Sequence, residues 1–235
     1  MAKQELDFIL VPIGLAAMVG YHLWLLLCIL HRPTRTVIGI NAINRRIWVC
    51  AMMEDPLKNG VLAVQTLRNN IMASTLMAST AIMLSSLVAV LMTGGGSGTS
   101  AAASTSPTVS HSVKFFAILL CFLLAFLLNI QSVRYYSHAS TLINVPVRFH
   151  WQRRGAPEYV AAAVNRGSYF WSLGLRACYF SFPMFLWIFG PIPMASCCFI
   201  LVVVLYYLDM YAEWVDGEDG GEGDEMLGEA GGEPC

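Results

Sequence analysis

The chain has 235 residues, of which 57% are hydrophobic and only 12% are charged, and its mean hydropathy is +0.60. Because soluble globular domains carry about 25% charged residues, this composition excludes an ordinary soluble domain and indicates a membrane protein. The formal net charge of -1 conceals an asymmetry, since the segment from Glu213 to the end holds nine acids and no lysine or arginine. The remainder of the chain is therefore basic.

Hydrophobic runs in chain order predict five transmembrane helices, each approaching the roughly 20 apolar residues that a span requires. The predicted spans are 6–30, 71–92, 113–131, 168–189 and 194–211. The first run lacks a basic n-region and a small-residue cleavage site, so we interpret it as a retained helix and not as a signal peptide. Gly190, Pro191 and Pro193 break the chain between the last two spans. The alternative for these two is a re-entrant hairpin, which would leave three full spans.

The predicted fold class is all-α: a polytopic transmembrane helical bundle with one interfacial amphipathic helix and cytosolic helix extensions. Residues 1–212 form the transmembrane domain, and residues 213–235 form an acidic tail that we expect to be disordered. The Gly/Ser-rich linker 93–112 is also predicted to be disordered.

Lysine and arginine counts in the connecting segments predict the topology. Two segments are rich in basic residues and are expected in the cytosol: Arg32, Arg35, Arg45, Arg46, Lys58 and Arg68 before the second span, and Arg134, Arg148, Arg153, Arg154 and Arg166 before the fourth. The N-terminus and the linker are then outside or lumenal, and the C-terminus is cytosolic. Either the plasma membrane or an endomembrane is compatible with this pattern.

The stretch TVIGINAINRRIWVCAMMED, residues 36–55, predicts a further helix between the first two spans. Its apolar stripe consists of Ile40, Ile43, Ile47 and Ala51. Arg45 and Arg46 lie largely off this stripe and could meet anionic headgroups, with Trp48 at headgroup depth. The alternative is a connecting helix packed on its neighbours. Helical phase also continues upstream of the second and fourth spans, which predicts a small collar of helix ends in the cytosol.

One arginine, Arg176, lies inside the aromatic, otherwise apolar fourth span. An arginine at the bilayer centre costs about 2.5–3.5 kcal/mol on insertion scales, so it usually faces protein or water and finds a partner. Asp209 is the only acid within the later spans, and we predict that it pairs with Arg176 across antiparallel helices. The pair could fix helix register or form an ion or substrate site; snorkelling of Arg176 to the interface is a third alternative.

Other intramembrane polar candidates occur in the first and third spans. They are His22, Asn129, Gln131 and Arg134, with His138 one turn beyond. Polar groups within a membrane are functional candidates. A hydrogen-bonded core histidine and ordinary polar residues at the membrane boundary are the structural alternatives.

Catalytic and metal-binding motifs are missing from the sequence. It contains no HExxH, GxSxG, Walker-type, GxGxxG or CxxC pattern, and its seven cysteines are scattered, mainly in hydrophobic runs. We therefore predict no catalytic residues, no cofactor, no metal and no enzymatic activity.

Several stretches carry a resemblance to a known family: RTVIGINAINRRIWVCAMMEDPLKNGVLAVQTLRNNIMASTLMASTAI, NIQSVRYYSHASTLINVP, VNRGSYFWSLGLRACYFSFPMFLWIFGPIPM and VLYYLD. The chain resembles a plant-type member of the uncharacterised membrane family called domain of unknown function 599. The resemblance leaves out the linker and the tail. It implies an integral membrane protein with an R-A-x-Y-F run, here beginning at Arg176, and it implies no established activity.

Two classes of function follow from these features. The first is an interaction or scaffold protein that engages anionic lipid headgroups or a protein partner. The second is an oligomeric small-solute or ion channel or transporter, which Arg176, Asp209, Asn129 and His22 favour. The absence of an internal repeat and of matched broken helices argues against transport. The expected partners are the bilayer and a second copy or another membrane protein, and nucleic acid is not expected.

Overall fold

The computed structural model describes residues 2–94, 107–145 and 156–210. Over these residues the chain forms six α-helices and no strand, which confirms the predicted all-α class. The helices are α1 Ala2–His31, α2 Val37–Glu54, α3 Pro56–Gly94, α4 Pro107–Leu142, α5 Ala156–Leu186 and α6 Pro191–Asp209.

The five predicted spans fall in α1, α3, α4, α5 and α6, but α3, α4 and α5 extend well beyond the spans they contain. Helix α3 has 39 residues, so at 1.5 Å per residue it is nearly twice as long as the ~30 Å hydrocarbon core. Residues 93–94 and 107–112 are helical, whereas the sequence analysis assigns them to the 93–112 linker. Residues 95–106 and the 213–235 tail lie outside the described residues.

Among the residues that the structure describes, four helices are long and apolar enough to cross a membrane. These candidate spans are Asp7–His31, Pro56–Met92, Ser112–Leu142 and Pro191–Asp209. Helix α5 is not among them, because Arg176 and its many tyrosine, serine and glycine residues reduce its apolar character. Helix α5 contacts α2, α4 and α6 and buries twelve residues.

The helices pack as an antiparallel series joined to a parallel pair. Ser132 of α4 contacts both Ser74 of α3 and Gly167 of α5, and the three helices alternate in direction. In contrast, α1 and α6 run parallel. Gly14 of α1 lies against Cys198 of α6, and both helices end at the same end of the bundle. An isolated bridge between Thr36 and Met210 closes that end.

A tight turn separates α5 from α6 at the break that the sequence predicts. Gly190 precedes α6 with φ of 153°, a conformation that residues with a Cβ rarely adopt. Pro191 then occupies the first turn of α6, where a missing N–H costs nothing. The turn makes α5 and α6 antiparallel neighbours.

Two apolar clusters cover the opposite ends of the bundle. We call the first the collar, and it joins α2 to the ends of α3, α4 and α5 through Val49, Met53, Ala63, Leu67, Tyr136, Ala139, Ile143, Val160, Ala161, Ala163 and Val164. The second cluster contains Val11, Met18, Val88, Ile118, Met184, Met194 and Cys198. Between them Ala81, Ala125 and Ala177 meet, and such small side chains let helices approach closely.

The outer surface of the bundle is strongly apolar. Only 22% of an apolar 18-residue stretch in each candidate span is buried within the protein, and Phe8, Leu76 and Tyr207 are 87%, 68% and 77% exposed. Large exposed apolar surfaces are rare on soluble monomers and mark contact with a membrane or a protein. The helices therefore present the surface that a lipid-embedded protein requires.

A candidate functional site around Arg176 and Asp209

Arg176 and Asp209 form an ion pair between α5 and α6, the pairing that the sequence analysis predicts. The Arg176 Nη2 group donates a hydrogen bond to Asp209 Oδ1 at 2.7 Å, and the two side chains are only 12% and 11% exposed. Each charge compensates the other in a region where an unpaired charge is costly. The antiparallel arrangement of α5 and α6 brings these residues together despite the 33 positions between them.

A third helix joins this pair through Tyr21 of α1, whose hydroxyl donates a hydrogen bond to Asp209 Oδ2 at 2.7 Å. Both oxygens of the carboxylate thus have a donor, one from α1 and one from α5. Tyr21 is not among the residues predicted from the sequence. The sequence offers only a general reason to expect this hydrogen bond, since a tyrosine buried in an apolar environment normally finds a partner for its hydroxyl.

His22 lies next to this triad of Tyr21, Arg176 and Asp209. Its Nδ1 is 2.7 Å from the carbonyl oxygen of Met18, so Nδ1 carries the proton because a carbonyl can only accept. The ring contacts Phe180 with centroids 5.0 Å apart. His22 Nε2 and Arg176 Nη1 are buried and have no hydrogen-bond partner among the residues that the structure describes.

Asn129 occupies a different place, the seam between α4 and α5. Its side chain is fully buried, and its amide Nδ2 donates to the Ala125 carbonyl at 2.8 Å. A Cβ added at Gly174 would overlap that amide. Beside it, Ser132 donates to the Gly167 carbonyl at 2.8 Å and lies 3.0 Å from the hydroxyl of Ser74. This polar seam holds three helices together.

The remaining polar residues of α4 do not join Asn129 in one cluster. Gln131 is half-buried and Arg134 is exposed. His138 is also exposed, and its Nε2 lies 3.1 Å from the hydroxyl of Tyr159 at the start of α5. The structure therefore separates a buried asparagine at the seam from exposed groups near the collar.

The three lipid-interface candidates of α2 lie in unlike surroundings. Arg45 Nε donates to Asn165 Oδ1 at 2.8 Å, and burial lowers the pKa of the Arg45 guanidinium. Trp48 packs against the collar, and Arg46 is half-buried. The outward side of α2 carries Asn41, Asn44, Ile47, Ala51 and Glu54. Because α2 packs on α5 and α3, the side of α2 that faces the protein is not the side that the apolar stripe predicts. Contact of the three candidates with lipid stays a prediction.

Lys114, which the sequence analysis did not select, forms a further internal contact. Its Nζ donates to the Trp187 carbonyl at 3.0 Å and lies 5.0 Å from the centroid of the Trp187 ring. A cation at this position complements the carbonyl end of α5. Lys114 therefore ties the start of α4 to the end of α5 at the end of the bundle opposite the collar.

Four long apolar helices with outward-facing apolar surface and a buried ion pair define a helical integral membrane protein. The chain belongs to the family described as "Protein of unknown function, DUF599", whose family model matches residues 9–214. The matched region includes Tyr21, Arg176 and Asp209 and extends just into the acidic tail. Neither a search of curated proteins nor a search of solved structures returned a match.

Replacing Tyr21 with phenylalanine should lower the free energy of unfolding by about 0.6–1.5 kcal/mol, since one hydrogen bond to Asp209 is lost while the ring is kept. Denaturant unfolding in a fixed detergent would measure this. Tyr207→Phe is the matched control, because Tyr207 lies on the same end of the bundle and is 77% exposed. Equal stability of the two variants would show that the Tyr21 hydroxyl contributes nothing.

Proposed function

We propose that this protein is a non-enzymatic, multi-pass membrane interaction protein whose basic end engages anionic lipid headgroups. One observation carries the proposal: exposed cations from distant parts of the chain converge at the collar end of the bundle. They are Arg32, Arg35, Lys58, Arg68, Arg134 and Arg166. Each basic residue near an anionic leaflet contributes about 1 kcal/mol to attraction.

The proposal includes α5 as a fifth crossing. Its neighbours α4 and α6 are both candidate spans, and α5 contacts them through Gly167 at one level, Arg176 further along and Trp187 at the far end. A helix held over this length between two spans would cross with them. The N-terminus would then be outside or lumenal and the C-terminus cytosolic, with the basic collar end in the cytosol. The same proposal includes plant-type membership of the family, because the stretches that resemble the family resemble a plant-type member.

Transport is the second candidate, and the unpartnered Arg176 Nη1 and His22 Nε2 groups favour it. The hydroxyl groups of α3 argue against it because they do not line one path. Thr75 and Thr80 are exposed and donate to carbonyls of their own helix, whereas Ser74 and Ser85 are buried on another side. A channel would therefore need several copies of the chain.

Lipid composition should change the stability of the reconstituted protein. In nanodiscs containing phosphatidylserine, the thermal midpoint should exceed that in phosphatidylcholine alone, and the difference should shrink as salt rises. The double variant Arg35→Gln/Lys58→Gln should lose part of the difference. Gln65→Asn, an exposed neutral substitution at the same end, is the control. Equal midpoints in both lipids at low salt would contradict the proposal.

A flux assay in proteoliposomes separates the two candidates. The interaction proposal expects no solute or ion flux above that of empty vesicles. The double variant Arg176→Met/Asp209→Leu removes both charges at once, so it leaves no unpaired buried charge. Flux in the parent protein that disappears in this variant while folding is retained would establish transport and overturn the proposal.

A further inference from the structure

A cavity of about 160 Å³ lies beside the collar, where α2, α3, α4 and α5 meet. Its lining consists of Arg45, Asn70, Ala73, Tyr136, Ser168 and Trp171. Five of these six side chains carry a hydrogen-bond donor, and none is a carboxylate. Since a water molecule occupies about 30 Å³ of liquid, the cavity could hold a tetrahedral oxyanion with a few waters.

Arg45 supplies the charge of this cavity. Of its five N–H donors, only Nε has a hydrogen-bond partner among the described residues, the Oδ1 of Asn165 at 2.8 Å. Asn165 is itself fixed by donating to the Ala42 carbonyl at 3.1 Å. The guanidinium is thus held by its Nε edge, which leaves the planar pair of terminal nitrogens for a bidentate acceptor.

The electrostatics of Arg45 call for an anion. Within the described residues no carboxylate contacts it, although burial lowers the pKa of its guanidinium. Arg45 is half-buried, and partial removal of a charge from water has a cost that a nearby counter-charge offsets. An anion in the adjoining cavity would supply that counter-charge.

Neutral donors in the lining favour the same kind of ligand. The Trp171 indole Nε1 is buried with no hydrogen-bond partner in the part of the chain that the structure describes. The amide of Asn70 and the hydroxyl groups of Ser168 and Tyr136 complete the lining. A ligand rich in acceptor oxygens would satisfy the indole N–H and the guanidinium together.

We propose that this cavity binds a phosphate group, supplied by a lipid headgroup or by free phosphate, with Arg45 as its cation and Trp171 as a neutral donor. Arginine matches phosphate bidentately. The depth agrees with a headgroup, since Asn70 directly precedes the apolar run that starts at Ile71, and Ser168 begins the fourth predicted span. This site deepens the proposed function, on which it rests, by adding a specific pocket to general attraction.

Binding of three ligands to the full-length protein in detergent would identify the source of the phosphate. Calorimetric titrations would use dioctanoyl phosphatidic acid, dioctanoylglycerol with the same acyl chains but no phosphate, and inorganic phosphate. Saturable binding of the phosphatidic acid alone assigns a lipid phosphate, and binding of inorganic phosphate as well assigns free phosphate as a source. The proposal would be overturned if dioctanoylglycerol bound as tightly as the phosphatidic acid. It would also be overturned if neither phosphate-containing ligand bound.

Two substitutions test the residues. Arg45→Gln should weaken phosphate binding about ten- to a hundredfold, and Trp171→Phe about three- to tenfold. Asn44→Ala is the matched control, since Asn44 adjoins Arg45 on α2 but is exposed and does not line the cavity, and it should bind like the parent. If Arg45→Gln fails to fold, as judged by gel filtration, Trp171→Phe decides. Parent-like affinity in the folded variants would overturn the site.

The acidic tail is the competing source of an anion. If phosphate binds only after residues 213–235 are deleted, a carboxylate of the tail takes the place of the phosphate in the full-length protein. That result would overturn the proposal. Failure of this site is distinguishable from failure of the proposed function. The Arg35→Gln/Lys58→Gln variant should lose salt-sensitive stabilisation in nanodiscs while keeping parent-like binding of the short-chain phosphatidic acid.

Discussion

Replacing Asp209 with asparagine should lower the free energy of unfolding by about 3–5 kcal/mol, the cost of breaking a buried ion pair by removing one partner. The substitution preserves size but leaves the Arg176 guanidinium without its counter-charge. It also exchanges a charged acceptor for a neutral one at the Tyr21 hydroxyl. Denaturant unfolding in detergent would measure the loss, and a reduced yield of membrane-inserted protein should accompany it.

Two controls interpret the Asp209→Asn result. Glu54→Gln removes an exposed carboxylate from α2 and should change stability by less than about 0.5 kcal/mol. The double variant Arg176→Met/Asp209→Leu should be more stable than Asp209→Asn, because it removes the orphaned charge together with the pair. If Asp209→Asn is as stable as the parent, the ion pair does not hold α5 against α6.

Replacing Gly174 with alanine should destabilise the bundle by about 1–3 kcal/mol, the usual cost of overpacking. The new methyl group would overlap the amide of Asn129, which is fully buried and cannot move without losing its bond to Ala125. Unfolding in detergent would show the loss. The variant tests whether α4 and α5 approach as closely as the structure has them.

Gly20→Ala is the matched control for Gly174. Both glycines lie within long helices, but a Cβ at Gly20 would have no atom within 4 Å apart from its chain neighbours and its own helix backbone. Helix propensity then favours alanine by up to about 1 kcal/mol, so the two substitutions should have opposite signs. Adding Asn129→Ala should recover part of the Gly174→Ala loss, and strictly additive effects would contradict the contact.

The sequence was informative about the ion pair because the bilayer leaves few solutions for a buried charge. One arginine in an apolar span and one acid within the later spans could be matched once a short turn made their helices antiparallel. Tyr21 was not accessible to the same reasoning. Which residue of α1 meets Asp209 depends on the parallel packing of α1 on α6, two helices that are distant in the chain.

In α2 the hydrophobic periodicity was not sufficient to predict which residues are buried. The hydrophobic stripe of α2 does not include Val49 and Met53, which are the two α2 residues buried in the collar. Arg45 lies off the stripe, yet it turns inward to Asn165. Periodicity describes one helix in isolation, whereas the rotation of a helix that lies on three others depends on the shapes it meets.

The sequence by itself determined the class of this protein: an all-α chain with long apolar helices, a break at Gly190 and an arginine that requires a partner. These properties follow from local chemistry, because hydrophobic length, helix breakers and the cost of buried charge act at the level of the segment. Only the tertiary structure decided that Tyr21 completes the pair, that Asn129 lies against Gly174 and that Arg45 lines a cavity without a carboxylate. Such contacts join residues far apart in the chain, and their geometry depends on how whole helices pack.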